Sequence, residues 1–63
     1  VYRQFLLSSG NTRLYTWLED DPRLKSGTEL TLKGDDMEWT VVERYSITRE
    51  DPPDVRWRVG GLV

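Results

Sequence analysis

The chain has neither cysteine nor histidine among its 63 residues. The first absence removes every disulfide and every zinc site built on cysteine. The two together remove the usual Ser–His and Cys–His nucleophilic arrangements. A Ser–Lys pair survives only at Lys25-Ser26, which lies in a turn and reads as turn chemistry. No apolar run is long enough to cross a bilayer, and no basic segment followed by an apolar stretch suggests a secretory signal. Neither sign of charge dominates, since a net charge of −2 is spread over a chain that is 32% charged. Such a balance favours solubility and gives no overall field for nucleic acid. The glycines at 27, 34, 60 and 61 do not form the strand, glycine loop and helix of a phosphate site.

What the chain does have is bulk. Sixty-three residues make one domain, 1–63, and a chain of this size buries only about 60% of the surface it exposes when unfolded. Three Trp, three Tyr and one Phe are the natural suppliers of its core. The dominant period is two. Val1–Ser8 and Thr12–Leu18 alternate as strands around Gly10-Asn11, a good hairpin turn. Pro22 and Ser26-Gly27 break the pattern, and Leu24 stands alone among polar residues as a plug for one end of the core. Thr28–Lys33 and Met37–Tyr45 form a second hairpin across Gly34–Asp36, with Trp39, Val41 and Tyr45 on one face and Thr40, Val42 and Arg44 on the other. Ser46–Asp54 reads as a polar loop, and Val55–Val59 as the fifth strand. No segment carries a helical apolar stripe.

Five short strands with turn-rich links predict an all-β fold, a small five-stranded SH3-like barrel. The expected core is Phe5, Leu7, Leu14, Leu30, Leu32, Trp39, Val41 and Trp57, with Leu24 at one end.

The acidic clusters, Glu19–Asp21, Asp35-Asp36 with Glu38, and Glu50-Asp51 with Asp54, all sit beside Pro or Gly. Turn and capping chemistry accounts for them, and none has the alternating ligands of a calcium loop. No metal, cofactor or small-molecule substrate is expected, and no catalytic residue is assigned.

Two features point to partners. Arg13, Tyr15 and Trp17 share one strand face, and Arg56 and Arg58 flank Trp57. Small barrels stack bases on such aromatics beside basic side chains. The same residues equally suit a core edge covered by arginine stems. The second feature is the C-terminal Gly60-Gly61-Leu62-Val63, read as a hinge and a short flexible apolar tail. The tail either folds back so that Leu62 caps the core or docks on a neighbouring chain by insertion or strand addition. Open strand edges offer a further way to bind a neighbour.

The stretch Thr16–Tyr45 resembles a group of small proteins of actinobacterial tailed phages. The resemblance rests on Trp17-Leu18, Asp20-Asp21-Pro22-Arg23-Leu24-Lys25, Gly27, Thr31-Leu32-Lys33, and Trp39 with Val41, and covers about half the chain. It implies a phage origin. From that follows the expectation of a non-enzymatic virion protein, a minor capsid or decoration protein. It would bind capsid or head–tail proteins, or copies of itself, through strand edges and the apolar tail. The alternative is a nucleic-acid- or host-protein-binding module in the host cytoplasm. The candidate contact residues are Tyr15, Trp17, Arg56, Arg58, Gly60, Gly61, Leu62 and Val63.

Overall fold

A computed structural model describes all residues, 1–63. Five antiparallel strands form a single sheet without helices: β1 (Tyr2–Ser9), β2 (Thr12–Glu19), β3 (Glu29–Leu32), β4 (Glu38–Arg49) and β5 (Val59–Leu62). Their order is β2-β1-β4-β3-β5, so β2 and β5 are the edges. The two edges do not pair with each other, and the sheet is therefore not closed.

The first hairpin turns at Gly10, whose φ of 59° puts the left-handed conformation at the first central position, as a type II′ turn requires. Its register runs unbroken from Ser9↔Thr12 to Tyr2↔Glu19. Phe5 and Leu7 thus share the inner face with Thr16 and Leu14, while Leu6 and Gln4 share the outer face with Tyr15 and Trp17. The second hairpin is shaped by Asp35. Its carboxylate accepts the Met37 N–H at 3.0 Å and the Trp39 indole N–H at 3.1 Å. One turn residue thereby caps the loop and satisfies the polar atom of a buried tryptophan.

β4, with 12 residues against the 8 of β1, runs past β1 to pair with β3 and takes up extra residues at two register shifts, between Leu6 and Leu7 and between Arg3 and Phe5. Leu7 faces Val41 but Leu6 faces Glu43, leaving Val42 as the extra residue. A bulge of this kind reverses the alternation of everything beyond it. Trp39 and Val41 point inward as expected, but after Val42 it is Arg44, opposite Phe5, that turns to the core side. This corrects the expected facing of Tyr45 and Arg44. β4 also extends to Arg49, through residues expected to be loop.

The core is Phe5, Leu7, Leu18, Leu24, Leu30, Leu32, Trp39 and Val41, each at most 4% exposed, with Leu14, Trp57 and Val59 packed against its rim. Leu24 is fully buried, as its isolation suggested. Leu14 and Trp57 are rim residues rather than core, and Leu18 takes the central place.

The last strand also differs from expectation. Val55, Trp57 and Val59 do alternate with exposed Arg56 and Arg58, but Val55–Arg58 joins no ladder. Pairing begins at Val59 and runs through the two glycines, with Leu32↔Val59, Thr31↔Gly61 and Leu30↔Leu62. A side chain on Gly60 would put its Cβ 3.0 Å from the Thr31 hydroxyl oxygen. Gly60 thus serves close approach between strands rather than a hinge. Gly60–Val63 is not a free tail here: Val63 donates its N–H to the Glu29 carbonyl at 3.0 Å.

Replacing Leu18 by Ala should cost about 2–5 kcal/mol of stability in urea unfolding, and replacing half-buried Leu14 by Ala distinctly less, about 1–2 kcal/mol. Equal costs would contradict the assignment of Leu18 to the centre and Leu14 to the rim.

Candidate functional site

The most organised polar cluster closes one end of the core. Arg3 lies on the inner face of β1, in line with Phe5 and Leu7. Its guanidinium grips Asp20 through two bonds, Nε–H to Oδ1 at 2.9 Å and Nη2–H to Oδ2 at 3.1 Å, and donates a third to the Tyr45 carbonyl at 2.9 Å. Arg44, turned inward by the bulge, donates to Asp20 Oδ1 and to the carbonyls of Asp21 and Leu24, all at 2.9 Å. Its guanidinium carbon lies 5.7 Å from the centre of the Phe5 ring, within the range of a cation–π contact. The three side chains retain only 19–27% exposure. The carboxylate and both guanidinium groups of the cluster are engaged with protein, an arrangement that clamps the end of the core.

The neighbouring Asp21 accepts the Arg23 backbone N–H at 2.9 Å and its guanidinium at 2.8 Å. These bonds hold the Asp21 carboxyl down at about 2, against an ordinary value of 3.8. The bidentate bond from Arg3, reinforced by the charge of Arg44, lowers the Asp20 carboxyl as well. No group of three or more acidic side chains is disposed to hold a metal ion.

The candidate contact residues fall into two regions. Tyr15 and Trp17 stand on the outer face of edge strand β2, beside an open hollow of about 200 Å³ whose far wall is Asp54, Arg56 and Trp57. Tyr15 is 65% exposed, and its ring stacks on Tyr45 with centroids 6.5 Å apart. Burial, and then the adjacent Tyr15, raise the Tyr45 phenol above the usual tyrosine value. Arg56 is thus brought to the aromatics, although its guanidinium is already bonded to Asp54 at 2.9 Å. Arg58 is not. It lies in a second hollow with Lys33, Tyr2 and the acidic residues Glu19–Asp21, on the other side of Trp57. The expected aromatic and basic patch is therefore divided, and its basic members have acidic neighbours. Gly60, Gly61 and Leu62 belong to the opposite edge, on β5, with Val63 directly after it, and Leu62 is 38% and Val63 66% exposed.

The clamp of Arg3, Asp20 and Arg44 was not among the candidate contact residues, and Asp20 was read only as part of the acidic cluster Glu19–Asp21 and assigned to turn chemistry. Arg3 carried a usable signal, a charge on the same alternation as Phe5 and Leu7. Arg44 carried none, because its inward position depends on the Val42 bulge.

No protein-family model, no curated protein and no solved structure matches the chain.

The depressed carboxyls fix a pH dependence. A carboxylate whose folded pKa lies below its unfolded value adds stability that is complete above the unfolded value and is lost as pH falls through the folded one. For Asp21, held at about 2, the loss should span roughly pH 4 to 2, and Asp20, also lowered, adds to the loss as pH falls below its unfolded value. The urea midpoint of the wild type should fall across that window, whereas Asp20→Asn should lower it at neutral pH and flatten its decline in acid. An equally steep decline in Asp20→Asn would remove Asp20 from this account.

Proposed function

We propose that this chain is a non-enzymatic structural protein of a phage virion, a minor capsid or decoration protein that binds a repeating surface through its strand edges. The observation that carries the reading is an open sheet whose two edges both bear exposed apolar or aromatic side chains: Tyr15 with partly covered Trp17 on β2, and Leu62 on β5 with Val63 directly after it. Unpaired edges are sites for adding a strand from another chain. The resemblance of Thr16–Tyr45 to small proteins of actinobacterial tailed phages supplies the setting. We further read the curled sheet as an SH3-like barrel left open between β2 and β5, with Val55–Arg58 running beside the gap without a ladder and a hollow between it and β2. The partners are capsid or head–tail proteins, with copies of the chain itself among them.

The alternative, a nucleic-acid- or host-protein-binding module in the infected cell, has less behind it. Arg56 is bonded to Asp54, and Arg58 faces Glu19–Asp21 across its hollow. It predicts salt-dependent binding to DNA or RNA that is lost on Trp17→Ala.

Mass spectrometry of purified virions of the encoding phage should detect the chain at a fixed ratio to the major capsid protein. Virions lacking it, together with retention of the purified protein on DNA at low salt, would transfer the assignment to the alternative.

A further inference from the structure

We propose that two copies of this chain associate through the free edge of β2, in an antiparallel β2–β2 ladder centred on Thr16. The inference concerns the purified protein and stands apart from the virion reading.

The phase of the first hairpin decides which groups are free. Ser9 and Thr12 close a two-residue turn, and at the far end Asp20 donates its N–H to the Val1 carbonyl at 2.9 Å. In an antiparallel pair, hydrogen-bonded and non-hydrogen-bonded positions alternate. Thr12, Leu14, Thr16, Leu18 and Asp20 therefore bond to β1. Arg13, Tyr15, Trp17 and Glu19 direct their backbone N–H and C=O away from it. β2 pairs with no other strand, and no backbone bond from the turns or loops reaches these four residues. The edge is eight residues long, contains no proline, and pairs with β1 without a bulge. It therefore lacks the short length, the proline and the bulge that commonly blunt an exposed edge, and the segment across the hollow, Asp54–Trp57, takes none of its backbone bonds.

The second copy is selected by charge and symmetry. Two such edges pair antiparallel only with outward residues opposite one another. The register centred on Thr16 engages all four at once: Arg13 meets Glu19 of the second copy, Tyr15 meets Trp17, and the two-fold axis repeats both pairs. Arg13 and Glu19 are both exposed, and neither forms an ion pair within its own chain. Opposite charges and aromatic side chains directly across an antiparallel pair attract. A shift by two residues in either direction loses the Arg13–Glu19 match and strands outward groups at the ends.

Sedimentation equilibrium on the full chain tests this with Arg13→Glu, Glu19→Arg and the double exchange R13E/E19R. The wild type should dimerise, each single substitution should weaken the dimer roughly tenfold or more by setting like charges opposite, and the double exchange should restore it. Amide hydrogen exchange on the wild type gives a second measurement that needs no variant. The Tyr15 and Trp17 amides should slow as dimer forms, while the Gly60 and Gly61 amides are unchanged. A wild type that stays monomeric, a dimer indifferent to the single substitutions, a double exchange that fails to restore it, or Tyr15 and Trp17 amides that stay fast in the dimer would each overturn the proposal.

Discussion

One carboxylate, Asp20, holds the open end of this sheet. It receives Arg3 from the first strand and Arg44 from the fourth, and it follows directly on the second. Without it, two guanidinium groups on the core side of the sheet would face each other across the end of an apolar cluster. With it, each cation is compensated, and their remaining donors are spent on the Asp21, Leu24 and Tyr45 carbonyls. Those carbonyls belong to the irregular segment after β2 and to the bulged part of β4, where no ladder partner is at hand. The clamp therefore supplies hydrogen bonds where the sheet cannot. No buried side-chain polar atom is left without a partner, as the cost of an unmade bond in a low-dielectric interior requires. Its partly exposed ion pairs contribute little attraction by themselves, so its main effect is geometric.

That geometry depends in turn on the mismatch between β1 and β4. Where β4 runs against β1 it carries extra residues that are taken up at two register shifts, and bulges both bend a strand and increase its twist. In this protein the bulge at Val42 does two things together. It curls the sheet around Leu24 and Phe5, and it converts Arg44 from an outer to an inner residue. The core of eight side chains is small, which fits a chain that must stay folded with little apolar surface to bury. Closing its end with a charged clamp rather than more hydrocarbon lets polar residues finish what the short sequence cannot fill.

Much of the fold was legible because its cause is local. The Gly10 turn, the alternation of Phe5 and Leu7 and of Leu30 and Leu32, the breaker at Pro22 and the isolated Leu24 each follow from a few neighbouring residues. What escaped was set at a distance. Leu14 and Leu18 share one face and one chemistry, and only the covering of one end of β2 by the loop beneath it makes Leu18 central and Leu14 peripheral. Val55–Val59 alternates like a strand, yet alternation reports only which side is buried. The ladder forms further on, where Gly60 allows the chain to come against Thr31, a residue 29 positions earlier. Arg44 was hidden by an extra residue that no local rule announces. Of the candidate contact residues, Tyr15, Trp17 and Arg56 were brought to one hollow, whereas Arg58 was separated from them by Trp57 itself.

The two edges of the sheet are not equivalent, and the difference bears on what the molecule is for. β5 is four residues long, half of them glycine, and its partner β3 is equally short. A four-residue edge offers fewer free backbone groups than an eight-residue one. β2 is twice as long and straight in register, and its outer face carries a tyrosine stacked on Tyr45 and a tryptophan over Gln4. Aromatic side chains with few torsions lose little entropy on contact and supply large contact areas, which is why they concentrate where chains meet. Val55–Arg58 passes beside this edge and buries part of Trp57 against the core rim without consuming a single hydrogen bond of β2. A segment that covers the flank of an edge while leaving its backbone free stabilises the monomer and keeps the edge available. The open sheet thus ends on β2 with its outward backbone groups unpaired, while Val55–Arg58 packs beside that edge through side chains alone.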